Sequence, residues 1–455
     1  MYSLLTLMLL SCNQDPIFHA VSQEVKPRNP RVQGSPTSIA LLYRSHEFPE
    51  GTDNSVPVMY IASNKIQWYA QPDVPDTSGS SWNADMGNLW WNTDKGSIIQ
   101  PGGQIIGLAA TDEYLYVMYR NKVLERIQKN GTPDEQWTQI PIDTNDPVLN
   151  DTLTFDSIFS CNNRIFIGAR YTPKTGAIPY SILYVNEGAV PGDDIIKSIK
   201  SDTFLLEGVA YNGSNYYLCL GDKYKPGGSL LELNATAFPA PTSNDLTEII
   251  NTDTKNPAIP FMSIISLEDD DTGVDSTIIA MDRPGILYII DTAANTFTAA
   301  TKKGTDTVLK MGTFNGFLGL WRDPDDSQWD PNDLTKLPKP ILLLATYQGS
   351  TSQTTTGYTN GYFEFDLVPG GPNGKFDISA GDFHQPGVPG VNGLSTIIDN
   401  NNERYQSTIG KYPITSMYQT PKNIDDRMTL FASTLVAGLW SYRDRDKIPQ
   451  WNAEE

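Results

Sequence analysis

Histidine, cysteine and positive charge are all scarce in this sequence, and each shortage removes a class of function. Three histidines and three cysteines among 455 residues argue against a histidine-based triad or a zinc site. No H-E-x-x-H, G-x-S-x-G, Walker or paired C-x-x-C motif occurs. The chain has 33 Lys plus Arg against 53 Asp plus Glu, a formal net charge of −20. Because such a field repels phosphates, no nucleic-acid partner is expected.

Long apolar runs are also missing from the interior of the chain. No internal stretch approaches the ~18 apolar residues that a membrane-spanning helix requires. Two of the cysteines, Cys161 and Cys219, lie far from the N-terminus. They could form a disulfide, but two buried free thiols are the simpler interpretation, since sequence separation says nothing about distance.

Turn-forming and aromatic residues are abundant. The chain contains 36 Gly, 32 Pro, 22 Tyr, 16 Phe and 9 Trp, and Thr, Ile and Val are frequent while long helical stretches are absent. Aromatic and β-branched residues favour strands, and Gly and Pro mark the turns between them. The composition therefore predicts an all-β protein with many short strands.

The first twelve residues, "MYSLLTLMLLSC", combine a short apolar segment with a cysteine at its end. Leu9, Leu10, Ser11 and Cys12 resemble the lipobox of a bacterial lipoprotein signal, in the relaxed form found in spirochaetes. The resemblance implies a signal segment over residues 1–12, cleavage before Cys12 and lipid on the Cys12 thiol. It further implies a lipid-anchored protein of a bacterial cell envelope, with the membrane face left open.

Residues 13–36 are polar and contain four prolines and a small basic group. A segment of this composition is predicted to be an extended tether. At up to ~3.3 Å per residue, it can reach at most about 80 Å from a bilayer.

From residue 37 the chain repeats an apolar run, a turn and further strands. A Gly or Ser precedes the apolar residues of each first strand, where a small side chain lets neighbouring sheets approach. These positions are Ser38, Gly107, Ser157, Gly208, Ser263, Gly312 and Ser416. Successive gaps are 69, 50, 51, 55, 49 and 104 residues.

The repeat predicts a β-propeller over residues 37–455 as a single domain. Seven starts favour seven blades, with six or eight as alternatives. The gap of 104 residues indicates either an eighth start near residues 393–399 or an insertion. The Gly- and Pro-rich stretch 368–393 favours the insertion.

Two carboxylates occupy the position directly before the small residue in adjacent repeats. Asp156 and Glu207 stand where other repeats have Thr, Ile or Met. If both face a central channel, they could act as the acid pair of a glycan-active or lactone-hydrolysing enzyme, roughly 5–10 Å apart. The alternative is that they are solvated residues lining a wet channel.

Tryptophans and acidic loops supply the remaining candidate sites. Trp82, Trp90 and Trp91 lie in a loop-like segment and could stack on a sugar, although covering the rim of a blade is the simpler role. No cofactor is expected apart from calcium, for which one acidic loop offers oxygen ligands without EF-hand spacing. Its carboxylates are Asp323, Asp325, Asp326, Asp330 and Asp333.

Taken together, these features predict a non-enzymatic, lipid-anchored envelope propeller that binds or scaffolds another protein or a glycan. In overall plan the chain is similar to envelope propeller lipoproteins. Two alternatives are a carboxylate-based propeller enzyme and a surface adhesin that recognises a host protein or sugar. Contact with the membrane is expected only through the lipid anchor.

Overall fold

The computed structural model describes most of the predicted strands and part of the loops between them. The described residues are 38–43, 57–62, 66–70, 90–92, 105–120, 122–128, 137–149, 153–171, 180–188, 193–222, 226–251, 259–267, 277–283, 285–301, 307–308, 315–322, 340–347, 361–366, 368–369, 376–377, 383–384, 413–419, 430–434, 438–443 and 450–453.

The described residues form seven sheets of four or five strands and one two-stranded sheet. Sheet 1 contains β1 Ser38–Tyr43, β2 Pro57–Ala62, β3 Ile66–Ala70 and β4 Trp90–Asn92. Sheet 2 contains β5 Ile105–Ala110, β6 Tyr114–Tyr119, β7 Val123–Gln128 and β8 Thr138–Gln139. Sheet 3 contains β9 Leu153–Cys161, β10 Arg164–Tyr171, β11 Tyr180–Asn186 and β12 Ile195–Asp202. Sheet 4 contains β13 Leu205–Tyr211, β14 Asn215–Gly221, β15 Gly228–Asn234 and β16 Leu246–Glu248.

The later sheets follow the same plan. Sheet 5 contains β17 Ile250–Asn251, β18 Phe261–Leu267, β19 Thr277–Asp282, β20 Leu287–Asp291 and β21 Thr296–Ala299. Sheet 6 contains β22 Asn315–Arg322, β23 Pro340–Tyr347, β24 Gly361–Asp366 and β27 Phe383–His384, and the small sheet pairs β25 Val368–Pro369 with β26 Phe376–Asp377. Sheet 7 contains β28 Ile414–Gln419, β29 Leu430–Thr434, β30 Gly438–Arg443 and β31 Gln450–Ala453. Two short 3-10 helices, Ala235–Ala237 and Ser243–Asp245, lie within sheet 4's connections.

The sheets close into a ring through their first long strands. β1, β5, β9, β13, β18, β22 and β28 contact one another in that order, and β28 also contacts β1. The prediction of an all-β propeller is confirmed. The number of blades stays a prediction, although seven sheets within the described ranges equal the number of predicted starts. β27, the outermost strand of sheet 6, lies inside the stretch that was interpreted as an insertion.

The innermost strands of the sheets all run in the same direction. In each large sheet, four antiparallel strands follow one another outward from the centre of the ring, so the chain returns after the fourth strand to the end where the first began. Every innermost strand therefore begins at the same end of the ring, which we call the front end. The hairpins that join first and second strands lie at the opposite, rear end.

The apolar core lies between consecutive sheets. Four clusters of buried residues fill the seams from sheet 2 to sheet 6, such as Met118 with Phe155 and Met281 with Leu342. Both faces of a sheet are thus covered by neighbours, and all six residues of β19 are buried. This two-sided burial explains why apolar residues run together instead of alternating.

The small residues of the repeat lie in these seams. A Cβ on Gly107 would stand 2.5 Å from Ile158 Cγ2, and one on Gly208 would stand 3.0 Å from Ile264 Cγ2. Ser157 donates its hydroxyl to the backbone oxygen of Leu206 in the next sheet, at 2.8 Å. The structure therefore confirms the reason for small side chains at these positions.

In five innermost strands, the residue before the small residue is the extra residue of a β-bulge. Register shifts skip Ile106, Asp156, Glu207, Met262 and Thr415 in five innermost strands. A bulge places two consecutive residues opposite one partner and re-aims a side chain. The same bulge thus occurs in five innermost strands, and the residue type at the bulge differs among them.

Connecting segments add to the outer edges of two sheets. β17 comes from the connection between sheets 4 and 5 and pairs in parallel with β21. In sheet 3, Ile142 forms a parallel bridge with Ile196 of β12. The Asp146 carboxylate accepts hydrogen bonds from the Ser198 N–H at 2.9 Å and from its hydroxyl at 2.6 Å. These contacts occupy backbone groups that an outermost strand leaves unpaired.

Candidate functional site

The two predicted carboxylates occupy equivalent bulges on innermost strands that contact each other. Asp156 lies in β9 and Glu207 in β13. The hydrogen bond from Ser157 to Leu206 joins the residues next to them. Both positions lie toward the front end, where these strands begin. The separation of the two carboxyl groups stays a prediction.

Asp156 is held by an arginine from the neighbouring strand. Arg170 Nη2 lies 2.8 Å from Asp156 Oδ2, and the two side chains are 43% and 29% exposed. The backbone oxygen of Arg170 accepts a hydrogen bond from the Thr154 hydroxyl at 3.3 Å. Arg170 Nε is buried and has no acceptor within the described ranges. The pair therefore presents a fixed guanidinium and a neutralised carboxylate to solvent at the front end.

A buried tyrosine extends this pair into the next sheet. The Arg170 guanidinium carbon lies 5.6 Å from the centre of the Tyr180 ring. The Tyr180 hydroxyl donates to Asp222 Oδ2 at 3.0 Å, and these residues are 7% and 3% exposed. We call Asp156, Arg170, Tyr180 and Asp222 the front network. It spans the seam between sheets 3 and 4 with alternating acidic, basic and aromatic groups.

The network changes the acidity of its tyrosine. Burial raises the pKa of Tyr180 to about 12, and the hydrogen bond to the Asp222 carboxylate adds to this rise. Because the neutral phenol is favoured in the folded chain, this contribution to stability is complete below the ordinary tyrosine pKa of about 10. It is lost as the pH rises through about 12.

This shift can be measured by tyrosinate absorbance. At pH 11, wild-type protein and Tyr180→Phe should absorb equally at 295 nm, because Tyr180 remains protonated. Asp222→Asn removes the carboxylate that adds to the rise in the Tyr180 pKa caused by burial, so a larger fraction of Tyr180 should ionise at the same pH. If the absorbance of wild type at pH 11 exceeded that of Tyr180→Phe by the amount due to one fully ionised tyrosine, the described network would be contradicted.

Glu207 lies in a different environment from Asp156. One of its carboxylate oxygens, Oε1, is buried. The Cys219 thiol is fully buried, and burial raises its pKa, with the nearby Glu207 carboxylate adding to the effect. The two equivalent bulges thus carry carboxylates in different surroundings, one paired with an arginine and one close to a thiol.

At the rear end, hairpins of sheets 2 and 3 contact each other. The Asn163 amide donates to the Asp112 carboxylate, and Asn163 Oδ1 accepts the Asp112 N–H at 3.0 Å. Ser160 donates its hydroxyl to the backbone oxygen of Ala110 at 2.5 Å. These polar groups satisfy one another across neighbouring sheets.

Sheets 2 and 3 also share a buried ion pair near their outer strands. The Arg126 guanidinium contacts the Asp194 carboxylate, and both side chains are about 5% exposed. The Arg126 guanidinium lies 3.9 Å from the centre of the Tyr114 ring. Nearby, burial raises the pKa of Glu187. The low exposure of this pair indicates a structural role in the seam.

The remaining predicted sites are only partly described. Trp90 and Trp91 belong to β4, where they pair with Tyr69 and Trp68 of β3. Trp82, Cys12 and the proposed calcium loop lie outside the described residues. Cys161 and Cys219 are free thiols, as the simpler of the two interpretations expected, but only Cys219 is buried and Cys161 is half-buried. Among the described residues, no group of three or more acidic, histidine or cysteine side chains could hold a metal ion.

Sequence reasoning found Asp156 but missed its partners. Arg170 and Tyr180 flank the connection between β10 and β11, and Asp222 directly follows β14. No local pattern marks them, because their contacts join different strands and two different sheets. Within the described ranges, no helix is sufficiently long and apolar to cross a membrane.

Comparison with known proteins finds similarity only to solved structures. No protein family and no curated protein matches the chain. The chain is similar to YCF48 from Cyanidioschyzon merolae, with 11% identity, a TM-score of 0.39, and coverage of 67% of this chain and 76% of that one. A structure of YCF48 bound to D1 peptide shows 9% identity, a TM-score of 0.45, and coverage of 92% and 96%. At these values no activity or partner is carried over.

Proposed function

We propose that this chain is a binding protein whose propeller recognises another protein or a glycan through the front end of its ring. Lipid on Cys12 holds it in a bacterial cell envelope, and residues 13–36 link the lipid to the propeller. The observation that carries the proposal is the front network, in which Arg170 is exposed yet fixed by Asp156. A charged group that is already held in place loses little entropy when it binds a ligand.

The same pair favours binding over catalysis by the two carboxylates. A catalytic acid or base must be able to exchange a proton with substrate. Arg170 Nη2 lies 2.8 Å from the Asp156 carboxylate, and each of the two carboxylates has one buried oxygen. The hydrolase hypothesis would require both groups to be released from these surroundings.

Site-specific photo-crosslinking in cells tests which end of the ring meets a partner. Thr203, in the turn between β12 and β13, is exposed at the front end. Ser214, in the hairpin between β13 and β14, is exposed at the rear end of the same sheet. A photoreactive residue at Thr203 should give a discrete adduct, and the same residue at Ser214 should give none.

Arg170→Met then examines the role of the network itself. In the Thr203 background it should reduce the yield of the adduct about tenfold, the size of effect that a central interface residue gives. Arg170→Lys preserves the charge but not the forked set of hydrogen-bond donors. Its adduct yield should therefore fall between that of the protein with Arg170 and that of Arg170→Met. An adduct from Ser214 alone, or one insensitive to Arg170→Met in a protein that melts normally, would reject the front end as the binding site.

A further inference from the structure

The serines of the repeat connect neighbouring sheets in two seams. Ser157 of sheet 3 donates its hydroxyl to the Leu206 oxygen of sheet 4 at 2.8 Å. Ser263 of sheet 5 accepts a hydrogen bond from the Leu318 N–H of sheet 6 at 3.0 Å. In both seams, the small residue after the bulge forms a direct hydrogen bond to the next innermost strand.

The equivalent serine of sheet 7 has no such bond. Ser416 follows the bulge at Thr415 and pairs directly with Ser433 of β29. The Oγ atoms of both serines are buried and have no hydrogen-bond partner within the described ranges. Ser433 is fully buried. Because the equivalent Ser157 and Ser263 face the next sheet along the ring, the two hydroxyls without partners are placed at the seam between sheets 7 and 1, where β28 contacts β1.

The register brings the two hydroxyls close together. Directly paired residues of antiparallel strands point to the same face of the sheet, with Cβ atoms about 4.5–5.5 Å apart. That spacing allows a single water molecule to contact both hydroxyl oxygens. Their neighbour Thr434, also fully buried, instead donates its own hydroxyl to the Gly438 oxygen at 2.7 Å.

A buried hydroxyl without a partner is unfavourable, and native proteins satisfy such groups with protein partners or with ordered water. A buried water typically contacts two to four polar groups. We propose that Ser416 and Ser433 together bind one ordered water molecule in the seam between sheets 7 and 1. The ring then closes there through water, in place of the direct bond that Ser157 and Ser263 make.

The sign of the stability change tests the proposal. If the hydroxyls bind water, Ser416→Ala and Ser433→Ala should each lower the melting temperature, by about 1–2 °C for a chain of this size. The double variant should lose no more than the worse single variant, because both hydroxyls serve one water. A rise in melting temperature would mean that the hydroxyls are dry, and additive losses would mean that they do not share a water. Either result overturns the proposal.

Ser263→Ala is the matched control, because it removes a serine hydroxyl from the corresponding position in another seam. It should lower the melting temperature, since the Leu318 N–H loses its acceptor. A crystal structure at about 1.5 Å resolution gives the direct measurement. Density for a water within about 2.7–3.2 Å of both Oγ atoms is expected, and a dry seam there would reject the assignment.

Discussion

Gly221→Ala should destabilise the propeller by about 3–5 kcal/mol, at the upper end for a single substitution. An alanine Cβ at this position would stand 1.8 Å from the Phe261 carbonyl oxygen and 2.9 Å from its carbon. Both atoms belong to the backbone of the innermost strand of sheet 5, so no side-chain rotation can relieve the overlap. The seam between sheets 4 and 5 must therefore separate, which the midpoint of urea unfolding measures.

Gly213→Ala provides the comparison in the same sheet. Gly213 lies in the hairpin between β13 and β14 with a φ of 91°, and a Cβ there would meet nothing within 4 Å. Its replacement costs only the backbone strain of a left-handed residue, about 1–2 kcal/mol. Equal unfolding midpoints for the two variants would show that the approach of sheets 4 and 5 is not as close as described.

If Cys12 carries the proposed lipid, Cys12→Ala should abolish attachment to the membrane. A lipoprotein cysteine carries three acyl chains, whereas two membrane signals already give stable anchoring. We therefore expect wild-type protein to partition into detergent and to incorporate labelled palmitate. The variant should remain in the aqueous phase without label. Because Cys12 lies outside the propeller repeats, the variant should melt at the wild-type temperature.

Cys161→Ser separates lipidation at Cys12 from labelling at other thiols. Burial raises the pKa of Cys161 to about 12, so its thiol is almost entirely protonated and unreactive at neutral pH. The Cys161→Ser protein should retain the palmitate label in full. Membrane-bound Cys12→Ala protein, or a mature N-terminus at another residue, would rule out the proposed anchor.

The sequence carried enough information to predict the ring and its seams. Gly107, Ser157, Gly208 and Ser263 were expected to lie where sheets approach each other, and each contacts the next innermost strand. Space in such a seam restricts the residue type directly, so the constraint appears as a visible repeat. Gly312, the sixth predicted start, lies outside the described residues, and β22 begins at Asn315.

The bulges and the front network could not be predicted in the same way. A bulge adds one residue without changing the apolar pattern on either side of it, so Ile106 and Met262 look like ordinary strand residues. The pairing of Asp156 with Arg170 depends on which face a bulged side chain reaches. The bond from Tyr180 to Asp222 depends on how two sheets are placed. Neither the direction of a bulged side chain nor the relative placement of two sheets leaves a pattern in the local sequence.

The connecting segments on β12 and β21 bear on how copies of this protein behave when they are concentrated. An uncovered outermost strand can template pairing with a second molecule and so begin aggregation. β8 and β16 have only two and three residues, too few for an extended ladder, whereas the eight-residue β12 is partly covered by its own chain. Within the described ranges, short edges and a covered long edge together disfavour edge-to-edge pairing between molecules at high concentration.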